Sequence, residues 1–583
     1  MDDSNVDPVA LSVIWSSLVS IAEEMGTALW STAFSEAVRE GQDFSTGLFD
    51  ARGRLIAQGN FTPGHLGSMP YVVRAALEQF PPETLAPGDG ILLNDPLLGS
   101  GHYPDFFLVT PAYHEGGLIG FAVCCAHQVD VGGAAPGSQI VVGVTEAFQE
   151  GLRLLPVRMF RQGEIEPDLE RVVLGNVRLP EKVRGDLLAQ RNANHLGARR
   201  LAELWERHGA ATVEGAVDRI LDSSERTMRS LIGEIPDGDY EFADAFDDVG
   251  PGTEQVEVRV IVRIRGDGAT VDFGASPQVA AGINSYLNYT RAYGFFALKV
   301  FTDPLLPQNE GLLRPIEVVA EPGSFFNARF PAPCGGRAAL QVRIFEAVNG
   351  ALAAILPERA TGGFSHWGNP NVGGPDDGTG RPFVMYDLIM GGYGARAGKD
   401  GQEALCPVFN GRNIPVEVHE AGTPVRVRRL ELIPDSGGPG RWRGGCGMRK
   451  DVQLLAPRAM LTNLGDRHRH PAYGLAGGGP GALAATRLER DGTARSIGSK
   501  EHVELVAGDV VSFRVCGAGG YGDALERDPD AVLRDVLEGY VSVEQAAEAY
   551  GVVVDAAAGR VREEETRRER LRRLAANRPS ESG

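Results

Sequence analysis

The sequence predicts a mixed α/β chain of the α+β kind, with an N-terminal α/β unit carrying a metal-type site and a glycine-rich, β-rich C-terminal half. Three observations lead there. Apolar residues recur at helical spacing through much of the first 235 positions, interrupted by short apolar runs of strand type. After Pro236-Asp237-Gly238 the period changes to two. The chain has 76 glycines, well above the usual share of ~7%. They cluster in short motifs in the second half and imply many special backbone turns.

Asp7-Pro8 opens the first helix, with Asp as N-cap and Pro at the first helical position. Its period runs to about Val38 through Leu11, Ile14, Leu18 and Ile21. Phe44 to Asp50 and Arg54 to Ala57 read as a hairpin turning at Ala51-Arg52-Gly53. His65 to Phe80 is a helix, and Ile91 to Asn94, Phe106 to Tyr113 and Leu118 to Ala126 are strands. Asp168 to His208 is helical, broken at Pro180, and Glu214 to Ile232 continues it. Asn192, Asn194 and His195 on that helix read as surface or interior network. These elements make one unit over 1–235.

A sheet-and-helix unit follows over 236–363, with strands at Tyr240 to Asp247 and Glu254 to Ile264 and helices at Asn284 to Phe301 and Arg337 to Ala354. The glycine-rich unit spans 364–525, with strand-like pieces at Val425 to Ile433, Val452 to Leu455, Ala459 to Asn463, Val503 to Leu505 and Val510 to Val515. A helical, charged tail takes 526–583. No long Pro/Ser/Gly tract separates the units, which predicts one body.

The formal charge of −20 argues against a nucleic-acid partner and against docking on an anionic membrane. The acidic start Met1-Asp2-Asp3 lacks a secretory signal's basic region, and without a run of 18 apolar residues no transmembrane helix is expected. Six cysteines and no Cys-x-x-Cys predict reduced thiols in a cytoplasmic protein. There is no Walker A motif, because Asp400 follows Gly398-Lys399. Gly517, Gly519 and Gly522 form a Gly-x-Gly-x-x-Gly, but no second strand of a βαβ unit follows. A Gly-x-Ser-x-Gly elbow is also missing.

The chemistry concentrates between Asn94 and Gly133, which hold two His-x-x-Asp units, His102/Asp105 and His127/Asp130. Imidazole with carboxylate suits Zn, Mn or Fe. Gly99, Gly101 and Pro104 make the first unit a turn, which can aim both side chains at one point. The second ends a short apolar strand just before a glycine pair. Spacing alone leaves two readings open: metal ligands, or surface turn residues capping their own backbones. The same holds for Asp43, either a turn residue or a further ligand. His366 and the basic Asp466-Arg467-His468-Arg469-His470 run are lesser candidates, the run as a contact for phosphate or a partner chain.

This stretch resembles the corresponding segment of the hydantoinase B family, which includes acetone carboxylase alpha subunits and the C-terminal half of 5-oxoprolinase. The shared pattern is Asn-Asp-Pro-x-x-Gly-x-x-His-x-x-Asp, then His-His-x-Asp-x-Gly-Gly. Here Gln128 stands where the second His of that pair would be. Further matches are Asp43-Phe44-Ser45, His65-Leu66-Gly67-Ser68-Met69, Gln149-Glu150-Gly151-Leu152-Arg153, Asn176-Val177-Arg178, Asp435-Ser436-Gly437-Gly438 with Arg443-Gly444-Gly445, and Gly519-Gly520-Tyr521-Gly522-Asp523.

The resemblance implies a metal-bearing subunit of a two-part, ATP-dependent enzyme. A partner of the hydantoinase A type, with an actin-like fold, binds ATP and phosphorylates a small cyclic amide or imide. This chain completes the ring opening with a metal-bound water. His102, Asp105 and His127 are the implied ligands, with Asp43 the fourth, and Asp130, Asp95 or His65 orients a ligand or takes a proton. The alternatives are the equivalent subunit of an ATP-dependent ketone carboxylase and a non-catalytic scaffold.

Overall fold

The computed structural model describes residues 7–405 and 408–576. Met1-Asp2-Asp3, Cys406 and the last residues of the 526–583 tail lie outside them. Helix α1 (Pro8–Thr32) starts where the Asp-Pro pair predicts, with the Asp7 carboxylate accepting from the Ala10 amide at 3.3 Å. It ends earlier than its period suggests. Asp186 takes the amides of Phe34 and Ser35 at 2.7 and 3.1 Å and draws the chain out of the helix before α2 (Glu36–Arg39).

By length and composition α1 could cross a bilayer, with a mean hydropathy of 1.3 over its most apolar window, which the broken apolar run did not predict. Its Ile14, Leu18, Ile21, Met25 and Leu29 are nevertheless buried, while Ser12, Ser16, Ser20 and Glu23 are exposed. That is the pattern of a helix with one face in a protein core.

Strands β1 (Phe44–Asp50), β2 (Leu55–Gln58), β3 (Gly90–Leu93), β4 (Asp105–His114), β5 (Gly117–His127), β6 (Val157–Arg161) and β7 (Glu164–Ile165) form one sheet in the order β2-β1-β5-β4-β3-β6-β7. All its neighbouring pairs are antiparallel. Side chains alternate across it. Phe107, Val109, Val123 and Cys125 pack with residues of α3 (Pro63–Gln79). On the other face, Phe106, Leu108, Cys124 and Ala126 pack with α1 and α5 (Pro180–His208), which α4 (Pro167–Gly175) precedes and α6 (Ala210–Ile232) follows. Asn194 on α5 belongs to the interior, its amide donating to the Leu108 carbonyl at 2.9 Å.

Register sets up the site. Asp105 lies opposite His127 in the β4–β5 ladder, Phe44 lies opposite Ala126 in β1–β5, and the His127 amide donates to the Asp43 carbonyl at 3.0 Å. Asp43, His127 and Asp105 therefore stand side by side at one end of three adjacent strands.

Strands β8 (Gly238–Phe246), β9 (Val256–Arg265), β10 (Gly268–Asp272) and β11 (Ile316–Val319) form a second sheet, antiparallel except for the β10–β11 pair. Helices α7 (Leu287–Thr302), α8 (Glu310–Leu313) and α9 (Ala338–Ala353) belong to this region, and every residue of α9 is buried. Its core also takes in Ala37 and Val129 from earlier in the chain and Tyr386 and Leu464 from later.

The 364–525 stretch holds two antiparallel sheets. One joins β12 (Asn371–Gly374), β13 (Phe383–Tyr386), β16 (Arg458–Leu464) and β19 (Lys500–Val506) in the order β13-β12-β16-β19. The other orders β14 (Val425–Leu432), β15 (Met448–Leu454), β17 (Ala485–Arg490), β18 (Thr493–Ile497) and β20 (Val510–Arg514) as β14-β15-β20-β17-β18. The pairs β12–β13 and β17–β18 were not foreseen. The tail is helical at Pro529–Leu537, Val543–Tyr550 and Glu563–Ala576.

The glycine clusters are less about turns than expected. Of Gly437, Gly438, Gly444, Gly445, Gly519 and Gly520, none has positive φ. They let main chain pack on main chain: a Cβ on Gly517 would stand 1.7 Å from the Ser436 carbonyl oxygen.

The basic 466–470 run also corrects its sequence reading. Arg467 is fully buried, 2.5 Å from Glu346 and 3.1 Å from Asp244, and Asp466 pairs with Arg343 at 2.6 Å and Lys500 at 3.2 Å. Replacing Arg467 with alanine leaves Glu346 buried with less counter-charge. The expected loss is about 3–5 kcal/mol, read as a lower urea midpoint. A midpoint within error of the parent would show that the network does not stabilise the fold.

Candidate metal centre

Asp43 precedes β1, His65 lies in the first turn of α3, Asp105 begins β4 and His127 ends β5. His102 comes from the turn before β4. Asn94 shapes that turn, donating to the Tyr103 and Leu152 carbonyls at 2.6 and 2.8 Å and accepting from the Leu154 amide at 2.6 Å. Gly101 is required there, because a Cβ would stand 2.0 Å from the Arg337 guanidinium.

His102 Nε2, His127 Nδ1 and Asp105 Oδ1 form a triangle whose three edges are each 3.1 Å. Ligand atoms about 2.0–2.1 Å from one shared ion stand at roughly this separation, so the donor set fits a divalent metal. His102 donates from Nδ1 to the Gly335 carbonyl at 2.8 Å, which leaves the Nε2 lone pair facing the other two vertices. Burial, with the Arg337 charge beside it, lowers the His102 pKa to about 4, so the ring is neutral, as a ligand must be.

Asp43 stands at the triangle's side. Its Oδ2 is 3.7 Å from His127 Nδ1 and accepts from the Tyr386 hydroxyl at 3.0 Å, while Oδ1 is buried with no hydrogen-bond partner. A buried, unpaired carboxylate oxygen is costly unless something binds it. His65 lines the same cavity, Nε2 3.4 Å from Asp105 and 3.8 Å from Asp43. The enclosed cavity is about 10 Å³, room for one small body such as a water or an ion. Cys125 lies close by, with His65 and Asp105, and burial and the charges of Asp105 and Asp43 push its thiol well above the usual range.

On its outer side, His127 Nε2 is 3.5 Å from the Gln139 amide nitrogen, and Gln139 Oε1 accepts from Asn371. Asn371 Oδ1 is buried without a partner. Turning both amides over gives Asn371 Oδ1 a donor and lets Gln139 accept from His127 Nε2–H, which frees Nδ1 as a ligand.

Three contributors escaped the sequence reading. Arg337 is fully buried, bonds Asp105 Oδ2 at 2.5 Å and lies 3.7 Å from the Tyr289 ring centroid. Burial opposes ionisation of Asp105, but the Arg337 guanidinium bonded to it is charged at any working pH and helps hold its carboxyl below the usual range. Tyr386 packs on His127 with ring centroids 5.0 Å apart. Glu150 accepts from the Cys334 and Gly335 amides at 2.9 and 2.6 Å and so fixes the carbonyl that orients His102.

Burial raises the Glu150 pKa from 4.5 to about 7, against the pull of those amides. The folded chain thus holds this proton more tightly than the unfolded chain. The resulting stability is fully present below about 4.5 and is lost as pH rises through about 7, a term on the order of 3 kcal/mol. The Glu150→Gln variant lacks that term, so its stability is expected to fall less between pH 5 and 8 in thermal melts. Parallel pH curves would remove Glu150 as the source.

Two predicted site residues stay apart from the cluster. Asp130 spends both oxygens on its own loop and on Arg178 between α4 and α5, accepting from Gly132, Gly137 and both the amide and guanidinium of Arg178 at 2.7–3.1 Å. Asp95 caps the Pro96–Leu98 turn and pairs with Arg153 at 2.5 Å. Gln128, the departure from the family pattern, faces Gln190 on α5 across the sheet from the cluster. His366 has its ring nitrogens 2.7 and 2.8 Å from the Trp367 and Ala339 carbonyls and is not among the residues lining the cluster's cavity.

Comparison with known proteins agrees with this architecture. The chain is 33% identical over 580 residues to a D-/L-hydantoinase B-type subunit from Pseudomonas sp. (strain NS671), covering 95% of this chain and 96% of that one. It superposes on the crystal structure of the ATP-dependent caprolactamase from Pseudomonas jessenii with a TM-score of 0.90 and 33% identity, covering 97% of this chain and 100% of that chain. Acetone carboxylase in its nucleotide-free form gives 0.89 at 20% identity, covering 98% and 84%, a likeness of fold alone. The family model described as hydantoinase B/oxoprolinase matches residues 7–524, and the chain belongs to that family.

Proposed function

We propose that the chain is the metal-bearing subunit of an ATP-dependent hydrolase of cyclic amides or imides. It works as a hetero-oligomer with a hydantoinase A-type ATPase that binds the ATP. The observation that supports this most is the buried triangle of His102, His127 and Asp105 with the unpaired Asp43 oxygen beside it. A divalent Zn, Mn or Fe ion held there supplies Lewis acidity and a water acidified toward neutral pH.

The chain's own residues set the conditions. An amide is a poor electrophile because its C–N bond has partial double-bond character, so activation by the ATPase comes first. Arg337 and the Gly335 carbonyl keep Asp105 and His102 in fixed directions. His65 Nε2, 3.4 Å from Asp105, is within reach to take a proton from the attacking water and return it to the departing ring nitrogen. Trp367, Tyr386 and Phe409 close the cavity against bulk water.

The test is metal analysis of the purified chain followed by assay with its ATPase partner on hydantoin and caprolactam. About one divalent ion per chain and ring opening only with ATP are expected. Turnover without ATP, or protein that binds none of the three metals, rules the reading out.

A further inference from the structure

A second cavity, about 550 Å³, lies between the start of α3, the C-terminal part of α7 and the 304–308 loop, within the usual range for small-molecule sites. Phe409 lines both this cavity and the small one at the cluster. Pro63 lines the larger cavity, and His65, two residues on, lines the smaller.

Its charge is unusual for a chain of net charge −20. Lys299 lines it together with Gln58, Asn60 and Gln308, and among the described residues no Asp or Glu does. Lys299 is only 5% exposed, and its ammonium donates to the Pro304 carbonyl at 2.7 Å. It forms no ion pair among the described residues. Two of its three donors remain for something else, and a buried cation with no ion pair, only the more distant charge of Asp303, is costly. Burial lowers the Lys299 pKa to about 8, with Asp303 opposing, so the amine is still charged at neutral pH. Phe61 and Phe296 supply apolar wall.

We propose that this cavity binds a small organic anion, with Lys299 on its phosphoryl or carboxylate group and Phe61 and Phe296 against its apolar body. The inference deepens the function proposed above and rests on it only for the anion's identity, the phosphorylated amide or the ring-opened acid.

Calorimetry on the full-length chain tests it, with phenyl phosphate, benzoate and neutral phenol as probes. The parent should bind at least one of the anions about tenfold or more tighter than phenol. Lys299→Met should lose that preference and Lys299→Arg should keep it. A preference for phenyl phosphate points to the activated substrate, one for benzoate to the product acid, and either upholds the pocket. Lys299→Met should also melt no lower than the parent, since it removes a buried charge that no ion pair holds. A merely structural lysine predicts the reverse, a lower melting point with anion preference intact, and that result overturns the proposal, as does a parent that binds phenol as tightly as both anions. Zinc, manganese and iron content of the same samples separates the two readings: protein that holds none of the three, even after each is supplied, and still prefers the anions sinks the metal centre and leaves the pocket standing.

Discussion

With zinc supplied as the probe ion, replacing His127 with alanine is expected to cut bound zinc from about one ion per chain to less than about a tenth and to abolish ATP-dependent ring opening. One vertex of the 3.1 Å triangle disappears, and only His102, Asp105 and the more distant Asp43 remain. The fold should survive. His127 is the last residue of β5, its amide still bonds the Asp43 carbonyl, and the chief packing lost is against the Tyr386 ring. His114, beside the β4–β5 turn and away from the cluster, serves as control: its alanine variant should keep zinc and turnover. If His127→Ala protein holds a full complement of zinc and works at the parent rate, the ligand assignment is wrong.

What the sequence made legible was local. A turn with Gly101 and Pro104, followed by two apolar runs of matched length, was enough to foresee a hairpin that returns His127 to Asp105. The long helices and their breaks at Pro180 and around Gly209 follow equally from short-range rules. Arg337 and Tyr386 were not legible, because they reach Asp105 and Asp43 from sequence separations of 232 and 343, and no periodicity or spacing encodes such contacts. Asp130 and Asp95 misled for the opposite reason. A carboxylate beside glycines or before a proline suits chemistry, but it suits bracing its own loop just as well, and the donors around both are local or structural. The β17–β18 hairpin carried its signal in Asp491-Gly492, with both residues at positive φ as a tight hairpin turn requires. Its strands are mostly exposed and polar, so no apolar run drew attention to them.

Asp105→Asn should produce the second large effect, and a double variant can divide it into its causes. Asp105 serves two masters: through Oδ1 it faces His102, His127 and His65, and through Oδ2 it neutralises Arg337, which is wholly buried. The amide removes a charged ligand, so zinc should be lost as in His127→Ala. It also leaves the guanidinium without its carboxylate partner in a dry interior, with Tyr289 as its remaining close contact. Stranding one half of a buried ion pair typically costs about 3–5 kcal/mol, a penalty that His127→Ala does not carry. Adding Arg337→Met removes the stranded charge and replaces it with apolar volume. The double variant is therefore expected to recover most of the lost stability in urea denaturation while remaining without zinc and without activity. Recovery of zinc together with stability would mean that Asp105 acts only through Arg337 and is no ligand. Failure to recover either would mean that the pair is not what holds this part of the fold.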